Sequence, residues 1–308
     1  MLFIGANALV PGEVDVDAVL RNPHVESSAL AFAKAPLHVV PREQKSICVL
    51  QSEAATVPWT AEVCLGSQDA TTCVIAIIVC QLGCTVLHFD EGTMEETDYL
   101  ERALRMADGG ADLFLVGGYN DERGTSAEIV QSLLSWFHEQ KQRFTLSLAC
   151  LLSHNTRITD ISGRQVPLPV VSGVCITAGE RAVRPARFED RGPMIRERSC
   201  RCMASGGTTA DLFDAAACEF TVEPWVFSLE ARMRKVFFSM SCLGDAALLA
   251  QASTSPDAEG PDFPEEMRLT LRLLSEKPET DALFPSAGGK ALRFAWDGGA
   301  WAPTPRLA

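Results

Sequence analysis

Apolar and polar positions along the chain change period several times, and each change predicts an element. Val16–Leu20 and Glu26–Lys34 carry helical spacing between prolines, the second helix ending before Pro36. Strand-like runs follow at Ser46–Gln51 and Glu62–Leu65. Val74-Ile-Ala-Ile-Ile-Val79 and Thr85-Val-Leu-His-Phe-Asp90 then flank Gln81-Leu-Gly83, the pattern of a hairpin. Behind the capping box Thr93-Met-Glu-Glu96, Leu100, Ala103, Leu104 and Ala107 fall on one helical face, stopped by Gly109-Gly110. Asp112–Val116 reads as a buried strand. A second capping box, Thr125-Ser-Ala-Glu128, opens a helix over Ile129–Lys141, and Arg143–Leu152 is again a strand.

The second half is richer in strands. Val170–Thr177 and Val183–Phe188 predict a hairpin closed by Ala178-Gly-Glu180, and Arg196–Met203 a basic helix ending at Gly206-Gly207, with a turn over Gly206–Thr209. Further strands are predicted at Asp211–Phe213, Glu219–Val222 and Val236–Met240. Pro264-Glu-Glu266 starts a helix through Leu274, with acids facing its dipole. Lys290–Trp296 and Ala300–Pro303 form a closing hairpin around Asp297-Gly-Gly299. The expected fold class is α+β: a layered α-β-β sandwich with mixed and antiparallel sheets. Residues 1–45 are expected as an N-terminal segment packing on the core. Residues 46–308 form the main α+β domain, its two lobes separated near 155–167.

Composition narrows the function. A hydrophobic fraction of 47% and a charged fraction of 22% are those of an ordinary globular chain. The net charge of −13 argues against nucleic acid, whose phosphates need clustered Lys and Arg. It favours a cationic partner instead. The eleven cysteines include no CxxC pair, which argues against a zinc ribbon or a thioredoxin-type site. Cys200-Arg-Cys202 has no histidine nearby, so neither a metal nor a cofactor is expected. The N-terminus lacks the pattern of a secretory signal, and no apolar run approaches the ~20 residues that span a bilayer. An intracellular, reduced protein with no membrane association is expected.

With only five histidines, the chemistry concentrates quickly. His24 and His38 lie in the Pro-broken N-terminal region, His138 on a helix and His154 in a polar loop. Only His88 lies in a strand beside a cysteine-bearing strand and near an acid. In a hairpin register that sets Cys73 opposite His88, the two reach thiol–imidazole distance, about 4.5–5.5 Å between Cβ atoms. That is what a cysteine nucleophile needs. Asp90, two residues on, shares the face of His88 and is a candidate third member of a triad. Asp69, Thr71 and Thr72 lie in the loop that presents Cys73, where hydroxyls and backbone N–H groups can meet an oxyanion. The plainer alternative stays open here: a core-edge His88 bonded to Asp90, with Cys73 as apolar filler.

Five stretches resemble one family in order and spacing: Leu65-Gly-Ser-Gln-Asp-Ala-Thr-Thr-Cys73, Leu115-Val-Gly-Gly-Tyr119, Phe188-Glu-Asp-Arg-Gly-Pro193, Ser253-Thr-Ser-Pro256 and Gly289-Lys-Ala-Leu292. The resemblance, over about residues 46–303, is to the protein N-terminal asparagine amidohydrolases. It implies a deamidase-like sandwich and an enzyme that converts the N-terminal Asn of a peptide to Asp, releasing ammonia and feeding ubiquitin-dependent degradation. It implies a cytosolic or nuclear enzyme acting on peptides and proteins with a free N-terminal Asn; a monomer without a cofactor is expected. Cys73 carries over as nucleophile and His88 as its partner. The substrate ammonium would need a carboxylate, for which Asp190 and Glu259 are the candidates, with Ser255 beside the latter. Animal members begin Met-Pro and so expose a proline beside the site, where this chain has Met1-Leu2. The competing functions are a cysteine deamidase or peptidase for another substrate, such as an internal Gln, and a non-catalytic module that binds N-termini.

Overall fold

A computed structural model of the protein describes residues 1–9, 12, 14–90, 104, 109–204 and 209–304. The first-half strands are β1 (Leu2–Ile4), β2 (Asn7–Ala8), β3 (His38–Val40), β4 (Ser46–Val49), β5 (Glu53–Pro58), β6 (Cys64–Ser67), β7 (Val74–Val79), β8 (Gly83–Phe89), β9 (Ala111–Tyr119) and β10 (Phe144–Leu152). Those of the second half are β11 (Thr156–Ile161), β12 (Arg164–Pro169), β13 (Val174–Thr177), β14 (Val183–Phe188), β15 (Ala210–Asp211), β16 (Phe213–Asp214), β17 (Glu219–Val222), β18 (Leu292–Trp296) and β19 (Trp301–Pro303). Helices α1 (Val16–Leu20), α2 (Pro23–Lys34) and α3 (Thr125–Glu139) belong to the first half. The second contains α4 (Ile195–Ser199), α5 (Arg201–Ala204), α6 (Ala231–Ser241), α7 (Asp245–Ala252), α8 (Phe263–Glu276) and α9 (Thr280–Leu283).

An eight-stranded mixed sheet in the order β15-β5-β8-β7-β9-β10-β1-β2 faces a five-stranded sheet in the order β3-β14-β13-β6-β4. The middle strand of the larger sheet explains the layering. Val74, Ala76 and Ile78 of β7 share one apolar cluster with Ile129, Leu133 and Phe137 of α3. Ile75 and Ile77 point the other way, into a cluster with Leu65, Val174 and Ile176 of the five-stranded sheet. Helices, sheet and second sheet are therefore stacked as the α-β-β sandwich expected. A strand covered on both faces has no polar side, which is why β7 is an unbroken apolar run.

Local chemistry sets several boundaries. Asn22 accepts a hydrogen bond from the His24 N–H at 3.0 Å and Pro23 follows at the first helical position, so α2 starts earlier than periodicity alone predicts. The expected box at Thr125 does not form. Asp121 instead accepts from the N–H groups of Arg123, Thr125 and Ser126, and the residue before the helix is Gly124 in a left-handed conformation. Val236–Met240 is part of α6, not a strand, because Phe237 and Ser241, one helical turn apart, are the buried positions. β5 escapes a hydrophobicity reading because Glu53, Thr56 and Pro58 interrupt it. Residues 155–167 hold most of the β11–β12 hairpin, and the five-stranded sheet draws strands from both halves. The helix predicted behind Thr93 lies outside the described residues except for Leu104, which is buried, and the Gly206 turn does so except for Thr209.

One buried ion pair braces the layers. Arg198 in α4 donates from Nε and Nη2 to the two carboxylate oxygens of Glu53, at 2.9 and 2.7 Å, with both side chains 1% exposed. The same guanidinium donates to the carbonyls of Cys48 at 2.7 Å and Arg191 at 2.6 Å. Glu53 also accepts from the Leu50 N–H at 2.9 Å. Removing one partner strands the other as an uncompensated buried charge. Arg198→Met should therefore destabilise the protein by about 3–5 kcal/mol, read as a lowered urea midpoint, whereas Arg164→Met, on an exposed pair with Asp257, should shift it by less than about 1 kcal/mol.

Candidate active site

The loop from Gln68 to Cys73 leaves β6 in the smaller sheet and enters β7 in the larger one, so it lies across one open end of the sandwich. Asp69 turns it with φ 63°, a conformation that non-glycine residues adopt mainly where surrounding contacts impose it. Its far end is pinned by the Gly-Gly pair of β9. Gly118 N–H donates to the Cys73 carbonyl at 2.7 Å, and β9 comes so close that a Cβ on Gly117 would stand 2.5 Å from that oxygen. The loop hydroxyls are tied to the segment after α7: Thr72 Oγ1 lies 3.0 Å from Thr254 Oγ1, and Ser255 Oγ donates to Thr71 Oγ1 at 2.8 Å.

His88 lies on β8, facing the smaller sheet. Its partner across the pairing is Ile75, one turn of the pleat beyond the register expected from sequence. Cys73, one residue before the pair Val74–Phe89, falls across from Asp90 and is a diagonal neighbour of His88 on the same face. Ser67 of β6 meets the ring from the opposing sheet, with Oγ 2.8 Å from Nδ1 and 2.5 Å from the Val49 carbonyl. A carbonyl only accepts, so the single hydroxyl hydrogen goes to Val49 and Nδ1 must carry the ring hydrogen. That leaves Nε2 as the basic nitrogen.

The expected role of Asp90 as the third member of a triad is therefore corrected: Ser67 holds Nδ1. Asp90 instead accepts from Gln51 Nε2 at 2.6 Å. Sequence reasoning passed over Ser67 because it sits inside a strand. The usable signal was its parity with Leu65, which places a hydroxyl on the core-facing side beside the Cys73 loop.

A cavity of about 560 Å³ opens here, lined by Cys73, His88, Asp90, Asp69, Thr71, Thr72 and Glu259 among others. Ser255 stands behind its wall as the partner of Thr71. Asp190 does not line it either; its carboxylate accepts from the Gly192 N–H at 2.9 Å, closing its own turn. Its neighbour Arg191 faces the cavity instead, paired with Glu266 and, at 3.5 Å, with Asp69. Cys202 is a second thiol in the lining, and among the described residues no group of three His, Cys, Asp or Glu is arranged to hold a metal. The amino terminus lies at the other end of the sheet, where the Met1 amine donates to the carbonyls of Gln140 and Gln142 and β1 pairs with the start of β10.

Burial pushes the half-buried Cys73 thiol up, and the charges of Asp90 and Glu259 push it further, against a hydrogen bond from Thr72. Burial lowers His88, against the pull of Asp90, Asp69 and Glu53. The resting pair is thus a neutral thiol and a neutral imidazole. Burial also raises the Glu259 carboxyl, opposed by hydroxyls of Ser253, Ser255 and Thr71.

An α-β-β sandwich carrying a thiol, an oriented imidazole and a carboxylate in one cavity defines the class: an α+β protein with a candidate hydrolytic site. The sequence model of the protein N-terminal asparagine amidohydrolases matches residues 37–303, and the chain belongs to that family. It is 31% identical over 290 residues to the protein N-terminal asparagine amidohydrolase of Sus scrofa, covering 90% of this chain and 89% of that protein. The Mus musculus protein of that name is 30% identical over 291 residues, covering 91% and 90%. That of Arabidopsis thaliana is 25% identical over 284 residues, covering 83% and 80%. Among the described residues no helix is long and apolar enough to cross a membrane.

The pinning of Cys73 is testable without a substrate. Gly117 has φ 111° and no room for a Cβ, so Gly117→Ala should lower the free energy of unfolding by about 1–3 kcal/mol in urea titration. Gly118→Ala, whose Cβ meets its first atoms at 3.3 Å in a left-handed position, should lose less.

Proposed function

We propose that this protein hydrolyses the side-chain amide of an N-terminal asparagine to aspartate through a thioacyl intermediate on Cys73. The observation that carries the reading is the Cys73 thiol and the Nδ1-protonated His88 sharing one face of one cavity. His88 Nε2 takes the thiol proton as sulfur attacks the side-chain carbon, so the thiolate forms only as it is consumed. The Cys73 N–H and the Thr72 hydroxyl meet the oxyanion. The carbon–nitrogen bond then breaks, nitrogen takes the proton back from His88, and ammonia leaves a thioester. Water, deprotonated by His88, hydrolyses it to the aspartate and restores the thiol.

The substrate ammonium suits the charge of the cavity, whose described lining holds Asp69, Asp90, Glu259 and Glu266 against Arg191 alone. Glu259 is the clamp that the geometry favours over Asp190, because it lies in the lining and its hydroxyl partners fix its direction. One methylene distinguishes Asn from Gln and is worth only about 1–3 kcal/mol by pocket size. A fixed reach from Glu259 to Cys73 adds to that discrimination. The family resemblance supports an enzyme in the cytosol or nucleus whose product enters ubiquitin-dependent degradation.

Incubation with Asn-, Gln- and Ala-initiated peptides tests the reading. A one-dalton gain with ammonia release on the Asn peptide alone is expected, lost in Cys73→Ala and His88→Ala with the fold retained. Turnover of internal Gln or binding without turnover would replace it with a different deamidase or a binding module. The pH profile carries a second expectation. Because the His88 pKa is lowered, the acid limb of kcat should fall below the ordinary histidine value of about 6.5, with activity flat through neutrality. A raised Glu259 makes KM climb as the pH falls toward and through its pKa, above the usual carboxylate range, since the protonated clamp cannot pair with ammonium.

A further inference from the structure

The outer face of α6 carries charge of the opposite sign to the rest of this chain. Acids outnumber bases by 40 to 27, yet α6 holds Arg232, Arg234 and Lys235 and no acid. Phe237 and Ser241, one turn apart, are its buried positions, and Arg234 turns to the same side, donating from Nε to the Ser275 carbonyl of α8 at 3.2 Å. Arg232, Lys235 and Val236 lie on the face away from that pair. With Met240, Leu243 and, from α7, Gln251, they line a groove of about 390 Å³. Val236, Met240 and Leu243 fall at i, i+4 and i+7, the spacing by which one helix seats another, and Val236 is 40% exposed. Neither Arg232 nor Lys235 is paired with a carboxylate among the described residues. Of the flanking acids, Glu230 is outside the lining and Asp245 is held by Arg268.

We propose that the groove between α6 and α7 docks an acidic amphipathic helix of a partner protein. The apolar anchors of that helix fill the groove beside Val236, Met240 and Leu243, where the flexible methionine adapts to their shape. Its glutamates or aspartates meet Arg232 and Lys235. Charge complementarity selects this occupant over two others. An anionic membrane binds clusters of about four to eight basic residues, and a net charge of −13 is repelled by it. The same net charge opposes a second copy of the chain, whereas a partner needs its acids only along one helix. Docking here also has a consequence for the site. Gln251 lines the groove and Ala252, the next residue, lines the catalytic cavity, so the partner sits beside the place where substrate enters or product leaves. The docking is independent of which amide the cavity hydrolyses.

A fluorophore on Cys242, the exposed cysteine that ends α6, reads the groove directly. The probe is a helical peptide with leucines at i, i+4 and i+7 and glutamates on both flanks; its control is the same composition scrambled. The helical peptide should bind about tenfold or more tightly than the scrambled one, with affinity falling as salt is added. Arg232→Glu with Lys235→Glu should weaken it by about tenfold or more, and Val236→Ser by about fivefold or more. Arg157→Glu, at an exposed cation on β11, should leave binding unchanged. Phosphatidylserine vesicles and rising concentrations of the protein itself are tested beside the peptide. Equal binding of the scrambled peptide, or indifference to the charge reversals, overturns the proposal. So does a response to vesicles or to self-association in place of the peptide. If the doubly reversed protein does not fold, the reversal is made on the probe instead: lysines in place of its glutamates should abolish binding to wild type, and binding that survives overturns the proposal.

Discussion

The close approach of the β9 backbone to the Cys73 carbonyl is the constraint on which the rest of the site depends. Two sheets can present a side chain at their common edge only if the loop between them is held at both ends. At its start the Ala70 N–H is tied to the Ser172 carbonyl, at 2.9 Å, and at its finish the Cys73 carbonyl is tied to Gly118. A side chain at position 117 would occupy the place of that oxygen, so the Gly-Gly pair is a demand of packing before it is one of chemistry. With both ends fixed, the hydroxyls of Thr71 and Thr72 fall where Ser255 and Thr254 can meet them. The carboxylate of Glu259 is thereby brought to the same cavity from a segment almost two hundred residues away in sequence.

Burial then decides the electrostatics. His88 is enclosed between two sheets, 3% exposed, and the inexpensive form of a buried imidazole is the neutral one. Ser67 removes the remaining ambiguity by spending its hydrogen on Val49, which assigns the tautomer. The thiol beside it is likewise kept protonated by burial and by carboxylates. In the proposed reaction such a pair stores no ion pair in advance. Proton transfer and attack proceed together, and the acidic lining is left to recognise a cationic amino group.

How much of this a sequence discloses follows from which groups act locally. The β7–β8 hairpin, the body of α2 and the helix from Phe263 were legible because an uninterrupted apolar run, helical spacing stopped before Pro36, and a proline with acids at an N-terminus each act within a few residues. That Cys73 and His88 would line one cavity was legible because, of only five histidines, one alone follows the cysteine-bearing strand. The register was not: a hairpin slipped by two residues keeps every side chain on its face, so the hydrophobic pattern cannot tell Ile75 from Cys73 as the partner of His88. Nor was Ser67, whose role depends on a strand of the other sheet. Asp190 was misplaced because an acid beside an arginine and a glycine also closes a turn through its own carboxylate, which is what it does.

That turn shows how the remaining motif is explained. The stretch Asp190-Arg-Gly-Pro193 looks like a substrate-binding loop in sequence, yet its backbone is held by a residue outside it. Arg198 donates to the Arg191 carbonyl, and a Cβ on Gly192, at φ 90°, would meet its Nη1 at 3.3 Å and the Phe220 ring at 3.1 Å. The same guanidinium holds Glu53 and the carbonyl of Cys48, on either side of the turn that supplies Leu50, Gln51 and Ser52 to the cavity. A hydrophobic pair of equal volume would pack as well or better, since buried ion pairs are weak sources of stability. It would not tie the segments around Cys48–Glu53 and Arg191–Pro193 to each other by directed hydrogen bonds. One buried cation thereby sets the distance between the wall that carries Gln51 and the wall that carries Arg191, and the width of the cavity follows from it.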